Sequence, residues 1–228
     1  MDNQLWILLV AGTLFTWYRL DKNRDKLRMN NIMPVILAIL HTLVGVLCVK
    51  IFAFLETGKM DGQSLFGAVF FMPVIYFLAA KISKRKVADV FDIFVICMIF
   101  TLLCARVNCI LAGCCKGLLL PGSEDLRWPT RELEILFYIA ILFWLDRKAG
   151  NEVYSGEIYL LYMIAYGVFR FIIEWFRETE IKVGVLHISH IWAIVSILAG
   201  TAMLIGLKER KDREKGGEER DEYSKKHK

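Results

Sequence analysis

Long apolar runs alternate with short polar segments along most of the chain. A helix needs about 20 mostly apolar residues to cross the hydrocarbon core of a bilayer, and only a helix satisfies its own backbone hydrogen bonds there. Seven stretches fit this pattern, at residues 3–19, 32–54, 64–80, 89–112, 132–146, 156–176 and 186–207. The pattern therefore predicts an all-α integral membrane protein with seven transmembrane helices, of which the fifth is the shortest.

The basic residues between these spans predict their orientation. Clusters such as RLDKNRDKLR and KISKRK follow the odd-numbered spans, whereas the alternate loops carry fewer basic residues or balance them with acidic ones. Basic loops concentrate on the cytoplasmic side of a membrane. We therefore expect the N-terminus outside and the C-terminus in the cytoplasm. Because the first basic cluster follows the first apolar run, we also expect that run to stay in the membrane rather than to act as a cleaved signal.

Composition narrows the class of protein further. The chain is 56% hydrophobic, with a mean hydropathy of +0.45, which is far from an ordinary soluble domain. The formal net charge of +5 arises mostly in loops and in the tail, so we read it as a topology signal and expect no nucleic-acid partner. We expect residues 1–207 to form one polytopic membrane domain and residues 208–228 to form a charged, disordered cytoplasmic tail.

Charged residues inside the predicted spans need a partner or a purpose. The sixth span carries four polar residues at helical spacing, Tyr166, Arg170, Glu174 and Arg177, and these share one face of a helix. Arg106 lies in the outer part of the fourth span, on the same side of the membrane. One interpretation is a structural network in which Glu174 pairs with Arg170 or Arg177. The other is a cavity in which several guanidinium groups bind a phosphate, such as a phospholipid headgroup.

The segment 105–117, ARVNCILAGCCKG, places three cysteines beside that arginine, Cys109, Cys114 and Cys115. With Cys104 they lack the CxxC pairs and histidines of a zinc site, and the four do not share one helix face, so we expect no metal. The alternatives are small residues that allow close helix packing, or a nucleophilic thiol at Cys114 or Cys115 beside Lys116.

Glycines mark the loop between the second and third spans. Gly58, Gly62 and Gly67 permit a tight or re-entrant backbone there, which is tolerated at membrane depth only inside protein or along a cavity.

Several segments together resemble one enzyme family. Arg106 in ARVNCILAGCCKG, the segment WPTRELE at 128–134, the block YGVFRFIIEWFR in the sixth span and LHISHIWAIVSILAG near the last span occur in that order. With the seven spans they resemble prolipoprotein diacylglyceryl transferase over most of residues 55–203. That family is known as an integral inner-membrane enzyme of bacteria. It moves the diacylglyceryl group of phosphatidylglycerol onto the lipobox cysteine of a prolipoprotein and releases glycerol phosphate, without a cofactor.

The resemblance implies roles for individual residues. It implies catalytic roles for four residues: Arg106, Tyr166, Arg170 and Glu174. His190 stands where the family has glutamine, and we expect it as a fifth catalytic residue, a candidate to replace the family histidine as proton acceptor. It implies substrate-binding roles for four others: Gly67, Gly117, Arg131 and Arg177. The expected partners are a phosphatidylglycerol-type lipid and a lipobox prolipoprotein.

The chain also departs from the family pattern. Cys109, Ala112 and Cys114 stand where the family signature has asparagine, asparagine and glutamate, and Phe66 stands where it has a histidine. Two alternatives therefore stay open. One is a noncatalytic lipid-binding or accessory membrane protein with the same fold. The other is a thiol-dependent membrane enzyme that uses Cys114 or Cys115.

Overall fold

Seven α-helices build the part of the chain that the structure, a computed structural model, describes: residues 3–58, 64–150, 156–178, 182–183 and 186–226. The helices are α1 (Asn3–Lys22), α2 (Met33–Thr57), α3 (Phe66–Ile82), α4 (Val87–Leu111), α5 (Thr130–Ala149), α6 (Glu157–Ile173) and α7 (Ile188–Lys226). A single 3-10 turn, Glu174–Phe176, continues α6. Each helix covers one predicted span, so the all-α class is confirmed.

Length and hydropathy identify the helices that can cross a membrane. Four segments meet both requirements, Met33–Thr57, Val87–Leu111, Glu157–Phe176 and Ile188–Glu214, and α3 is a shorter apolar helix. Large apolar side chains on these helices face outward; Leu43, Leu55 and Leu198 are each more than 60% exposed. Such a surface is stable in lipid and unstable in water.

A short β-hairpin separates α6 from α7. Strand β1 (Lys182–Val183) pairs antiparallel with β2 (Leu186–His187), with Val183 opposite Leu186. The seventh helix therefore begins at Ile188, two residues after the predicted start of the seventh span at residue 186.

Helix α4 forms the centre of the bundle. It contacts α1, α3, α5 and α6. In its most apolar segment 61% of the residues are buried, against 22% in that of α7. Ile96 and Ile99 in its middle are fully buried. Because α4 is enclosed by protein, polar groups near its ends face other helices rather than lipid.

Polar contacts connect the helices at the end opposite the candidate site. The backbone N–H of Gly156, which precedes α6, donates to Asp92 Oδ2 of α4 at 2.7 Å. Arg19 of α1 pairs with Asp146 of α5 at 2.7 Å. At the other end, the last turns of α2, α4 and α6 meet the first turns of α3, α5 and α7. We call this the site end.

The loop between α2 and α3 is only partly described. Helix α2 ends at Gly58, whose left-handed φ of 70° lets its N–H bond to Phe54 O. The predicted re-entrant backbone concerns residues 59–63, which lie outside the described residues. Gly67 lies in α3 against α2, where a Cβ atom would stand 2.3 Å from Cys48 O.

The charged tail is described as far as Lys226. Helix α7 continues through it to Lys226. Pairs four residues apart support this extension, Arg210 with Glu214 at 2.9 Å and Glu209 with Arg213 at 3.8 Å. Lys, Arg and Glu are strong helix formers, and such pairs stabilise an exposed helix.

Candidate active site

Five charged side chains meet at the site end and form what we call the arginine–glutamate cluster: Arg106, Glu134, Arg170, Glu174 and Arg177. Glu134 Oε2 lies 2.5 Å from Arg106 Nε, and Glu134 Oε1 lies 2.8 Å from Arg170 Nη1. Glu174 Oε2 lies 2.8 Å from Arg170 Nη2 and 3.9 Å from Arg177 Nη1. All five are at most 8% exposed. With every group ionised, the five side chains carry a formal charge of +1.

The helical spacing explains the part of the cluster that belongs to α6. Arg170 and Glu174 are four residues apart and form the predicted ion pair. Arg177 follows the 3-10 turn and reaches both Glu174 and Glu134, the latter at 3.5 Å. The structural network that the sequence predicts is therefore present, and it extends to α4 and α5.

The loop between α4 and α5 fixes the backbone around Arg177. Gly117 forms an isolated β-bridge with Arg177, and Leu118 N–H donates to Phe176 O at 2.9 Å. A Cβ atom on Gly117 would stand 2.2 Å from Trp128 O, so only glycine fits without displacing this loop. The loop therefore requires glycine at this position, and the substrate-binding role of Gly117 stays a prediction.

Aromatic rings border the cluster on its inner side. The ring of Phe66 packs edge-on against Tyr166, with centroids 5.3 Å apart, and Tyr138 and Tyr162 stack nearby. All four side chains are at most 2% exposed. A hydrocarbon ring therefore occupies the position where the resemblance implies a histidine, and this position does contact the site.

Three other predicted site residues lie outside the cluster's ion pairs. His190 is fully buried on α7; its ring contacts Trp175 at 4.6 Å, and its Nδ1 accepts the N–H of His187 at 3.2 Å. Arg131 pairs with its neighbour Glu132 at 3.7 Å. Gly67 serves the α2–α3 contact described above.

The cysteines separate into two groups. Cys104 is buried in α4, whereas the sulfur atoms of Cys109, Cys114 and Cys115 all lie within 4.8 Å of one another. Arg106 Nη1 lies 3.9 Å from Cys109 Sγ, which joins these thiols to the cluster. Hydrogen bonding from the Cys109 thiol, with the charges of Arg106 and Arg177, lowers the pKa of Cys115, although burial opposes this. The helix-face argument does not apply to Cys114 and Cys115, because α4 ends at Leu111 and both lie beyond it.

An apolar cavity of about 430 Å³ lies between α1, α2, α3 and α4. Its lining includes Leu9, Val46, Met72 and Leu102, with Lys50 and Asn108 among the few polar residues. The cavity does not open on the arginine–glutamate cluster. It reaches another face of α4, where its lining includes Ala105 next to Arg106, and it can hold hydrocarbon such as an acyl chain.

Four members of the arginine–glutamate cluster have a role predicted from the sequence, and the fifth, Glu134, has none. Glu134 joins three arginines, and its place four residues before Tyr138 on α5 is a helical signal that could have identified both. Glu56, in the last turn of α2, interacts electrostatically with Arg170 and Glu174. A lone glutamate at the end of an apolar helix gave no signal of this contact.

A bundle of apolar helices with a buried cluster of charged side chains at one end is the architecture of an integral membrane protein. The sequence profile of prolipoprotein diacylglyceryl transferase matches residues 6–206, and the chain therefore belongs to that family. The family membership that the resemblance implies is confirmed.

Two relatives show how far the likeness extends. A phosphatidylglycerol–prolipoprotein diacylglyceryl transferase of Clostridium tetani is 27% identical over 158 residues, which are 61% of this chain and 62% of that protein. A second transferase of this name, from Clostridium perfringens, is 27% identical over 173 residues, 69% of this chain and 67% of that protein. The chain thus spans about two thirds of the length of these relatives.

Proposed function

We propose that this protein transfers the diacylglyceryl group of phosphatidylglycerol to the cysteine thiol of a prolipoprotein. Family membership supports the proposal, and so do the names of both clostridial relatives. The observation that carries it is the arginine–glutamate cluster. Its net positive charge complements the negative charge of the phosphodiester and the second negative charge that develops on the leaving glycerol phosphate.

The excess of arginine over glutamate suits a phosphodiester. Three guanidinium groups and two carboxylates leave one positive charge in the cluster, and a phosphatidylglycerol headgroup carries one negative charge. A buried charge is stable only when it is paired and hydrogen-bonded. Bound headgroup would make the site neutral, with guanidinium groups placed for bidentate contacts to phosphate oxygens. We assign this contact to Arg106, Arg170 and Arg177, and a hydrogen bond from the Tyr166 hydroxyl beside them.

The reaction breaks the bond between the glycerol carbon and the phosphate oxygen and forms a bond between that carbon and the acceptor sulfur. The thiol loses its proton, and glycerol phosphate leaves with a second negative charge. Guanidinium groups that already face the phosphate stabilise this developing charge more than the ground state, which is the condition for catalysis. In this assignment Glu134 and Glu174 hold the arginines in place. His190 remains the sequence-based candidate for the proton acceptor.

We further propose a location and a topology. All seven helices cross the bacterial inner membrane, the N-terminus lies outside, and the charged tail lies in the cytoplasm. The site end then faces the outer leaflet, which suits an acceptor protein exported across that membrane.

The test uses the full chain purified in detergent with labelled phosphatidylglycerol and a peptide that carries a lipobox cysteine. Release of glycerol phosphate and the mass of the peptide are followed together. We expect the peptide to gain a diacylglyceryl group, and the Arg106→Ala variant to lose this activity.

Arg19→Ala is the matched control. Arg19 also forms an ion pair between two helices, with Asp146, but at the opposite end of the bundle. We expect this variant to keep its turnover. Lipid binding without transfer in the unaltered protein would reject the transferase and favour the noncatalytic lipid-binding alternative.

A further inference from the structure

The three thiols Cys109, Cys114 and Cys115, which we call the thiol cluster, are brought together by the way α4 ends. Gly113 N–H donates to Ile110 O, and Cys114 N–H donates to Cys109 O at 3.1 Å. This pair of bonds is a Schellman motif, with Gly113 in the left-handed region at a φ of 67°. The motif turns the chain back over the last helical turn, so Cys114 and Cys115 fold onto Cys109.

Cys115 itself adopts a strained backbone conformation. Its φ is 56°, a region that residues with a Cβ atom rarely occupy. Such strain persists where the surroundings determine the backbone, and it is concentrated at functional sites. Here it points the third sulfur toward the other two instead of into the loop.

The spacing of the sulfurs fits a metal ion. Tetrahedral zinc binds thiolate at about 2.3 Å, which separates ligand sulfurs by somewhat less than 4 Å. All three sulfurs already lie within 4.8 Å of one another, which is close to that separation. Cys114 is exposed while Cys109 and Cys115 are half-buried, so an ion can enter from the surface.

The local charge also fits in the protein without bound lipid. Three thiolates and one divalent cation carry a net charge of −1, and the adjoining arginine–glutamate cluster carries +1. The two clusters touch, since Arg106 Nη1 lies 3.9 Å from Cys109 Sγ. Within the described residues the thiol cluster has three members, so the fourth position of a tetrahedral ion is open, as in catalytic rather than structural zinc sites.

We propose that Cys109, Cys114 and Cys115 bind a soft divalent metal ion, Zn²⁺ in the first place, and that its open position binds the acceptor thiol. The second part rests on the proposed transferase function. Coordination releases the thiol proton to solvent and leaves a metal-bound thiolate. The thiolate sulfur then attacks the glycerol carbon, and the electron pair of the breaking C–O bond leaves with glycerol phosphate. Phe66 cannot take that proton, and both glutamates of the cluster are paired with arginine.

Binding of Co²⁺ to the site can be followed by visible absorption spectroscopy. The full chain is purified in detergent under reducing conditions, stripped with a chelator and titrated with Co²⁺, and Zn²⁺ is then added as a competitor. We expect one equivalent of Co²⁺ with a thiolate-to-cobalt charge-transfer band and the strong visible bands of tetrahedral geometry, all lost on addition of Zn²⁺. Each of Cys109→Ser, Cys114→Ser and Cys115→Ser should weaken binding at least tenfold.

Cys104→Ser is the matched control, because Cys104 lies on the same helix but outside the thiol cluster. It should bind Co²⁺ as the unaltered protein does. A cobalt spectrum without charge-transfer bands, or one that survives the three substitutions, would overturn the metal site.

The role of the open position is tested by adding peptides. A lipobox peptide with cysteine should intensify the charge-transfer band, and the same peptide with serine should leave it unchanged. Transfer that continues undiminished after chelation and in Cys114→Ser would overturn this role, while the proposed transferase function would stand. Metal binding with a peptide-dependent spectrum but no transfer would instead support the site and reject the transferase.

Discussion

At the scale of single residues, Glu134 is the carboxylate that pairs with the most arginines of the cluster. Its two carboxylate oxygens contact guanidinium groups from α4, from α6 and from the segment after α6, and its side chain is 4% exposed. Removing one partner of a buried ion pair leaves the other charges uncompensated, which costs more than the pair contributes. Arg170 and Arg177 would then share the Glu174 carboxylate, and Arg106 would lose its ion pair with Glu134.

We predict that Glu134→Gln lowers the free energy of unfolding by about 3 kcal/mol and abolishes turnover. Denaturation in detergent and the lipobox-peptide assay measure the two effects. Glu132→Gln is the control, because Glu132 lies two residues away and its pair with Arg131 is partly exposed, at 3.7 Å. An exposed pair contributes less than about 1 kcal/mol. Equal destabilisation by both substitutions would contradict the central place of Glu134.

Gly117 is a second residue whose identity the site requires. We predict that Gly117→Ala reduces turnover by roughly 10-fold to 100-fold, because the new methyl group displaces Trp128 and with it the backbone bridge to Arg177. Steady-state kinetics measure this effect. Gly206→Ala is the matched control, since a Cβ atom at that position meets nothing within 4 Å. Undiminished turnover in Gly117→Ala would show that the loop tolerates the shift.

At the scale of elements, close approaches between helices place the ends that carry the site. Gly67 brings the first turn of α3 against the backbone of α2 at Cys48, next to Phe66 and Leu65 in the core. Gly167 likewise lets α6 approach α7, where a Cβ atom would stand 2.8 Å from Ala193 O. Small residues at helix contacts are the usual means of close packing in membranes.

We predict that Gly67→Ala destabilises the protein by about 1–3 kcal/mol, because the added methyl group overlaps backbone rather than a movable side chain. Thermal unfolding in detergent measures the change. The same Gly206→Ala control should leave the melting temperature nearly unchanged. A stable Gly67→Ala protein that lost only activity would instead favour the substrate-binding role that the resemblance implies for Gly67.

At the scale of the whole molecule, antiparallel succession of the helices places the two kinds of polar contact at opposite ends. The arginine–glutamate cluster and the thiol cluster lie at the site end, while pairs such as Arg19 with Asp146 and Lys148 with Glu157 lie at the other. The orientation of this axis in the membrane decides which leaflet supplies lipid to the site. The basic loops predict that the site end is outside.

We predict that trypsin removes the charged tail from inside-out membrane vesicles and leaves it intact in right-side-out vesicles, because the proposed topology places the tail in the cytoplasm. A tag at the C-terminus reports the cleavage. Cleavage at Arg127 in the α4–α5 loop, on the site end, should show the opposite dependence. Tail cleavage from right-side-out vesicles alone would reverse the proposed topology.

The helices follow directly from the chain, whereas part of the site does not. Each predicted span corresponds to one helix, because a run of apolar residues long enough to cross a bilayer has one stable backbone conformation. The stripe on α6 was also predictable, since Arg170 and Glu174 are neighbours on any helix. The contacts of Glu134 and Glu56 with this stripe depend on how separate helices pack, and no local spacing encodes them.

The thiol cluster also depends on tertiary structure that local sequence spacing does not encode. The sequence by itself determined the all-α class, the family and the polar face of the sixth helix, because these depend on local periodicity and on ordered motifs. Only the tertiary structure decided that Cys109, Cys114 and Cys115 converge beside Arg106. The reason is that α4 ends two residues after Cys109 and turns through left-handed residues, which helical periodicity cannot represent.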